Sequence, residues 1–365
     1  MFKINKITKK GVRLGVLRTA HGSLATPFYM PDATRGFIKL TNNSEVRQTG
    51  TEALVVNTFH LYLQPGLKII TEAGGIHKFM NWSGPLLSDS GGFQVFSLIH
   101  KNSKMGKIED DKVTFKSPLD GSYHEMTPEK SIQIQFALGV DMMVCFDDCP
   151  PNEFSRIDLE LSVKRTIAWA KRCKVEYLKQ IKKRKLIGVK KPLLFAVIQG
   201  GAELDLREHC AKELVKIGFD GYGFGARPID KDGNFLEEVL RKTAEYIPKS
   251  ALRFALGIGT PEDISRCAEM GWDMFDCVIP TREGRHGKLF IASISKKYTN
   301  ININNARFAN DFTVINKSSK ISELKTHSRS YLHHLFKLNE LLGQKLASLN
   351  NLEFYQLLLR RIRHQ

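Results

Sequence analysis

Leu86-Leu87-Ser88-Asp89-Ser90-Gly91-Gly92-Phe93-Gln94 reads as a short apolar strand that ends in an acid and turns on paired glycines. Met274-Phe275-Asp276-Cys277-Val278-Ile279-Pro280-Thr281-Arg282 repeats the apolar run with its acid and leads into a basic loop, Arg282-Glu283-Gly284-Arg285-His286-Gly287. Two carboxylates at strand ends, one beside a glycine turn and one beside a basic loop, suggest glycosidic-bond chemistry on a polyanion.

Working outward, the same unit recurs. Apolar or β-branched runs span Thr26 to Met30, Ala53 to Val56, Leu86 to Leu87, Asp141 to Phe146, Leu193 to Ile198, Tyr222 to Phe224, Phe254 to Ile258 and Met274 to Ile279. Segments with helical spacing lie between several of them, such as Leu159, Val163, Ile167 and Ala170, and Thr127-Pro128 has the cap-then-proline signature of a helix start. Strand then helix, repeated, implies a parallel sheet. Eight repeats, with no G-x-G-x-x-G opening the first helix, point to an α/β fold of the (β/α)8 TIM-barrel type. In that fold reactive side chains sit where strands end, which selects Asp32, Asn57, Asp89, Asp147, Gln199, Gly225, Gly257 and Asp276.

Other stretches fit no βα unit. Lys101 to His124 reads as a hairpin-like insertion with an Asp120-Gly121 turn, and Ile301 to Lys325, rich in Asn, Ser and Lys, as an appendage or loop. Helical spacing resumes through Tyr331-Leu332-His333-His334-Leu335, Leu338, Leu341 and Leu342, then in a second helix through Leu352, Tyr355, Leu358 and Leu359. The expected organisation is a barrel over 1–300, a small inserted subdomain over 301–350 and a terminal helix over 351–365.

The composition, with 42% hydrophobic and 25% charged residues in 365, describes a globular chain that buries a full core and excludes disordered and fibrous classes. No apolar run reaches the roughly 18 residues of a membrane helix, and the start lacks a signal-peptide core, so a cytoplasmic protein is expected. Six cysteines without a CxxC pair read as reduced thiols. A net charge of +17 favours a phosphate-bearing partner such as nucleic acid.

The strings Asp89-Ser90-Gly91-Gly92-Phe93-Gln94-Val95, Phe146-Asp147-Asp148-Cys149, Val197-Ile198-Gln199-Gly200-Gly201, Gly257-Ile258-Gly259-Thr260-Pro261-Glu262-Asp263 and Asp273 to Arg282 are similar to those of the tRNA-guanine transglycosylases of the queuosine pathway. The likeness runs in order from Gly11-Val12-Arg13 to Tyr331-Leu332-His333-His334-Leu335, with further agreement at Asn57-Thr58-Phe59-His60-Leu61 and Gly74-Gly75-Ile76-His77-Lys78-Phe79-Met80. It implies a TIM barrel with a C-terminal zinc subdomain.

By this resemblance Asp276 is the nucleophile that attacks C1′ of the wobble guanosine (position 34), and Asp89 is the general acid/base that handles the proton of the exchanged base. Two inversions at C1′ retain configuration, as in a retaining glycosidase. The resemblance further implies base contacts from Ser90, Gly91, Gly92, Asp147, Gln199, Gly225 and Ala226, with Phe93 stacking on the purine. It implies grip on the anticodon stem-loop by Gly257, Ile258, Gly259, Thr260, Pro261, Glu262 and Asp263 and by Thr281, Arg282, Glu283, Gly284 and Arg285. The partners implied are tRNA with a GUN anticodon, a 7-deazaguanine base such as preQ1 or queuine, and a second copy of the chain as a homodimer, with no membrane.

Two departures from the family pattern stand out. The four zinc-ligand positions hold Ser319, Ile321, Leu324 and Asn350, so no metal cofactor is expected, and apolar packing through Ile321 and Leu324 is the expected substitute. Another zinc site from His327, His333 and His334 is disfavoured, because adjacent residues on a helix diverge by about 100°. After the sixth strand, a Gly-Gly-Leu-Ala-Val-Gly-Glu type segment is replaced by Gly225-Ala226-Arg227-Pro228-Ile229-Asp230-Lys231, which reverses local charge and suits a cationic aminomethyl group poorly. The competing readings are a non-catalytic tRNA-binding accessory subunit, a paralogue modifying another nucleic acid, and a glycoside hydrolase. The last would need strand-end tryptophans, and Trp82, Trp169 and Trp272 lie elsewhere.

Overall fold

The computed structural model describes residues 1–151, 153–292 and 298–365. Eight parallel strands form its centre: Phe28–Pro31, Leu54–Val56, Leu86–Ser88, Met142–Val144, Leu193–Ile198, Gly221–Phe224, Leu252–Ala255 and Met274–Cys277. They pair in sequence order, and the first also pairs with the last, Met274 opposite Phe28 and Cys277 opposite Pro31. A parallel bridge between Asp32 and Val55, with Ala33 N–H donating to Val55 O at 2.7 Å, closes the ring. This is the (β/α)8 barrel.

Strands buried on both faces read as continuous apolar runs, and the alternation within them assigns the faces. Met30, Val55, Leu87, Met142, Val144, Phe195, Val197, Phe254 and Met274 fill the barrel interior. Their neighbours Tyr29, Ala196, Ile198, Tyr222, Phe224, Ala255 and Phe275 pack outward under the helices. The N-terminal end is plugged by an antiparallel sheet of Phe2–Ile7, Arg13–Thr19 and Gly22–Thr26, whose Leu17 and Leu24 join the interior cluster. Buried Asp141, which opens the fourth strand, fastens this plug by accepting from His21 N–H at 3.2 Å and from Leu86 N–H at 3.0 Å.

The insertion after the third strand is a three-stranded antiparallel sheet, Gly106–Ile108, Val113–Lys116 and Tyr123–Met126, one strand more than a hairpin. It leads into helix Pro128–Leu138, where Thr127 Oγ1 accepts from Lys130 N–H at 3.1 Å, the cap that Thr127-Pro128 announces. The appendage is not a loop. It opens on the hairpin Lys288–Ala292 with Tyr298–Asn302 and has its own core of Leu289, Ile303, Phe308, Ile315, Ile321, Leu324, Leu332 and Leu335.

Helix Arg329–Lys337 ends before Leu338, and Leu341 and Leu342 belong instead to the 23-residue helix Leu341–Arg363. That helix is shared. Its Leu346, Ala347 and Leu349 lie in the small core, and its Phe354, Tyr355, Leu358, Leu359 and Ile362 pack on the barrel. Strand Tyr298–Asn302 and this helix therefore run unbroken across residues 300 and 350. Among the described residues no helix is long and apolar enough to cross a membrane.

Candidate active site

At the C-terminal ends of the strands, Asp89 is held from two directions. Thr58 and Gly91 donate N–H to its Oδ1 at 3.0 and 3.1 Å, and Asn57 Nδ2 donates to Oδ2. Asn57 also caps helix Thr58–Leu63, accepting from His60 N–H at 3.0 Å, so the end of the second strand is built to seat the acid that follows the third. Burial pushes the Asp89 carboxyl up to about 7 against these hydrogen bonds, and the charges of Asp32 and Asp276 add to the rise.

Asp276 stands at the end of the eighth strand, its Oδ1 accepting from Gly257 N–H at 2.9 Å. Burial, with help from the Asp32 charge, pushes it too up to about 7. Asp32, raised by burial and braced by Thr34 Oγ1 at 2.7 Å, thus acts on both carboxylates. Its position after the first strand was the signal for it, as for Asn57. Three acids that resist simultaneous ionisation can supply a nucleophile and a proton carrier at neutral pH.

A buried polar cluster occupies the ends of the third, fourth and fifth strands. Ser90 Oγ donates to Asp147 Oδ1 at 3.3 Å and Gln199 Nε2 to Asp147 Oδ2 at 2.7 Å. Burial, then the neighbouring Asp148 charge, raises Asp147 to about 6. Gln199 is 1% exposed, and its carbonyl Oε1 has no partner among the described residues. A buried unmet acceptor costs about 1–3 kcal/mol, which an N–H of a bound ligand would relieve.

Gly225, after the sixth strand, lies against the Gln199 carboxamide. A Cβ there would lie 2.4 Å from Gln199 Nε2, so only glycine admits the carboxamide. Ala226 follows with φ 107°, a backbone setting that favours glycine and is strained for alanine. Gly91, with φ 78°, turns the chain so that Phe93 leaves on the first turn of helix Gly92–Lys101, 54% exposed. The ring lies outside the core. Trp82, Trp169 and Trp272 are all buried, which removes them as sugar platforms.

The flanking segments divide by exposure. Gly257, Thr260, Glu262 and Arg282 are exposed and Asp263, Glu283 and Arg285 half-buried, while Ile258, Gly259, Pro261, Thr281 and Gly284 are buried. Thr260 caps helix Pro261–Glu269, accepting from Asp263 N–H at 3.2 Å. Thr281 to Arg285 is not a loop but lies within helix Ile279–Arg285, with Pro280 in its first turn. The terminal helix fastens it: Asn351 Nδ2 donates to Pro280 O and to Lys288 O, each at 2.9 Å. Tyr355 OH donates to Gly259 O, so both segments beside Asp276 rest on one helix.

A full-chain relationship now supplies the reaction class. The family model described as queuine tRNA-ribosyltransferase matches residues 8–365. The chain belongs to the queuine tRNA-ribosyltransferase family. The queuine tRNA-ribosyltransferase of Thermoanaerobacter pseudethanolicus is 40% identical over 360 residues, which cover 99% of this chain and 91% of that one. The Caldanaerobacter subterraneus subsp. tengcongensis relative is 41% identical over the same shares, and the Staphylococcus aureus relative 39% identical over 99% and 90%.

The four positions at which the sequence resemblance implies zinc ligands hold residues that do not fit a metal. Ile321 and Leu324 lie in the small apolar core, and Ser319 and Asn350 offer a hydroxyl and an amide rather than thiolate or imidazole. Hydrogen bonds occupy them instead. Ser319 Oγ donates to Glu353, and Lys320 N–H donates to Glu353 Oε1 at 2.6 Å. Asn350 accepts from Asn316 Nδ2 at 2.9 Å and donates to Phe290 O at 3.0 Å. His333 Nδ1 donates to Ile303 O at 2.7 Å while the His327 ring lies against Tyr331, so these histidines do not converge.

Proposed function

We propose that this chain exchanges guanine at the wobble position of GUN-anticodon tRNA for a 7-deazaguanine, as a pentosyltransferase of queuosine biosynthesis, through a ribosyl ester on Asp276. The observation that carries the reading is the pair Asp89 and Asp276 at the C-terminal ends of the third and eighth strands, both raised to about 7 by burial. Ionised Asp276 forms a bond to C1′ as the C1′–N9 bond breaks and its electron pair leaves on guanine. Protonated Asp89 gives its proton to the departing base. The ionised Asp89 then takes the N–H proton of the incoming 7-deazaguanine, whose nitrogen attacks C1′ and frees Asp276.

Asp147, Ser90 and Gln199 read the purine edge, and Phe93 covers its face. Arg282, exposed beside the nucleophile, and Arg285 bind phosphates of the anticodon stem-loop. Lys231 is exposed on a turn whose Asp230 carboxylate is occupied by Asn234 N–H at 2.8 Å and Asp232 N–H at 2.9 Å. That favours an incoming base without a cationic 7-substituent.

The C-terminal subdomain is read as metal-free, held by Glu353 and its apolar core. Exposed Leu338, Leu341 and Leu342 offer apolar surface to a second copy of the chain, in keeping with a homodimer. Six unpaired cysteines accord with a cytoplasmic setting.

Incorporation of radiolabelled guanine into unmodified GUN tRNA tests the reading, since it needs the nucleophile and pocket but not the physiological base. Incorporation that Asp276→Asn abolishes is expected. Bound tRNA without incorporation would overturn the catalytic reading in favour of an accessory subunit.

A further inference from the structure

Among the described residues Arg207 is the largest charged side chain wholly out of water, at 0% exposure. It belongs to helix Leu204–Ile217, which follows the fifth barrel strand. Its Nε donates to Gly201 O at 2.6 Å, Nη2 to Gly225 O at 2.7 Å and Nη1 to Ile198 O at 3.2 Å. The guanidinium lies over the Phe224 ring at 4.0 Å. Among the described residues no carboxylate is paired with it; the ionisable groups near it are the thiols of Cys149 and Cys210.

A buried cation without a counter-charge is costly, and an apolar side chain of similar length in such a place is often neutral or stabilising. Packing alone therefore gives no reason for an arginine. Its three acceptors do. Ile198 and Gly201 flank Gln199, and Gly225 is the residue whose missing Cβ makes room for the Gln199 carboxamide. The planar fork of one guanidinium thus spans the ends of two neighbouring strands and fixes the backbone on both sides of the amide. A Cβ on Gly200, whose φ is 135°, would come within 2.8 Å of Arg207 N, so loop and helix are already in close contact.

We propose that Arg207 is a positioning residue for base exchange, which sets the separation of the Gln199 loop from Gly225 and so the fit of the purine between them. This rests on the reading of Gln199 and Gly225 as base-binding.

The test compares Arg207→Met and Arg207→Lys with the wild type by guanine exchange, by calorimetric binding of guanine and by thermal melting. R207M is expected to fold and to raise KM and Kd for guanine about tenfold or more, while KM for tRNA stays within about twofold; R207K, with fewer donors, falls between. Unchanged guanine affinity in R207M, or equal loss toward guanine and tRNA, would overturn the assignment. If R207M does not fold, the same split in R207K decides. Wild-type protein that binds no guanine would instead refute the underlying site reading, and the positioning role with it. Wild-type binding without exchange would refute only the catalytic step.

Discussion

Gln199 donates its amide to Asp147 Oδ2 at 2.7 Å and leaves its own carbonyl oxygen buried without a partner among the described residues. One half of the carboxamide is fixed and the other half is open. An amide in that condition specifies its ligand: the unmet acceptor calls for an N–H donor. Gln199→Glu places a carboxylate against Asp147, and guanine affinity is expected to fall at least about tenfold, measured by calorimetry, with recovery at lower pH as the pair gains a proton.

Asp276→Asn is expected to lower exchange by about 10⁴-fold or more and to abolish the denaturant-stable protein–RNA adduct, while tRNA binding stays near wild type. A mutant that still formed the adduct would remove Asp276 from the nucleophile role.

The pH dependence follows from the two raised carboxyls. In the proposed roles Asp276 acts ionised and Asp89 protonated, so a bell-shaped profile is expected with both limbs near neutrality, its apparent values belonging to the coupled pair. For stability, the folded Asp89 holds its proton up to about 7. The unfolded one releases it near about 3.9. Folded protein therefore binds the extra proton in between, and that stabilisation is complete below the lower value and lost as pH rises through the upper. Asp89→Asn should melt higher than wild type at pH 8.5, by about 1–2 kcal/mol after allowance for its partial exposure, with the difference shrinking toward pH 4. Equal melting at both pH values would contradict the raised carboxyl.

Phe93→Ala is expected to cost about 1–3 kcal/mol of base binding, measured as a rise in KM for guanine, without a change in melting temperature. A lowered melting temperature would reassign the ring to packing.

Elemental analysis of the purified protein is expected to find no stoichiometric zinc, and chelator to leave its melting unchanged. Glu353→Ala should destabilise the C-terminal subdomain by about 1–3 kcal/mol, because Ser319 Oγ and Lys320 N–H lose their buried acceptor. One zinc per chain would refute the metal-free reading.

The barrel was legible because its strands are buried on both faces and each announces itself by an apolar run ending in a polar or glycine residue. The eight strand-end residues, Asp32 and Asn57 among them, were listed on that rule alone. The partnerships were not legible. Nothing local in the sequence says that Asn57 holds Asp89, that Arg207 reaches Gly225, or that Asn351 fastens Pro280; these are contacts between elements distant in the chain. The basic stretch that reads as a loop from its charge is helical over Ile279–Arg285, and proline in a first helical turn is a start signal.

The pairing of the first barrel strand with the last, Phe28 with Met274, has a consequence for synthesis. A chain emerging from the ribosome in order has its first seven barrel strands in hand before the eighth can join the two edges of the sheet. Until then both edges are open, and the strand end that carries Asp276 does not yet exist. The helix Leu341–Arg363, on which Pro280 and Gly259 rest, arrives later still. The catalytic centre is therefore assembled last, and a nascent or truncated chain can fill most of a barrel while having no capacity to cleave a glycosidic bond.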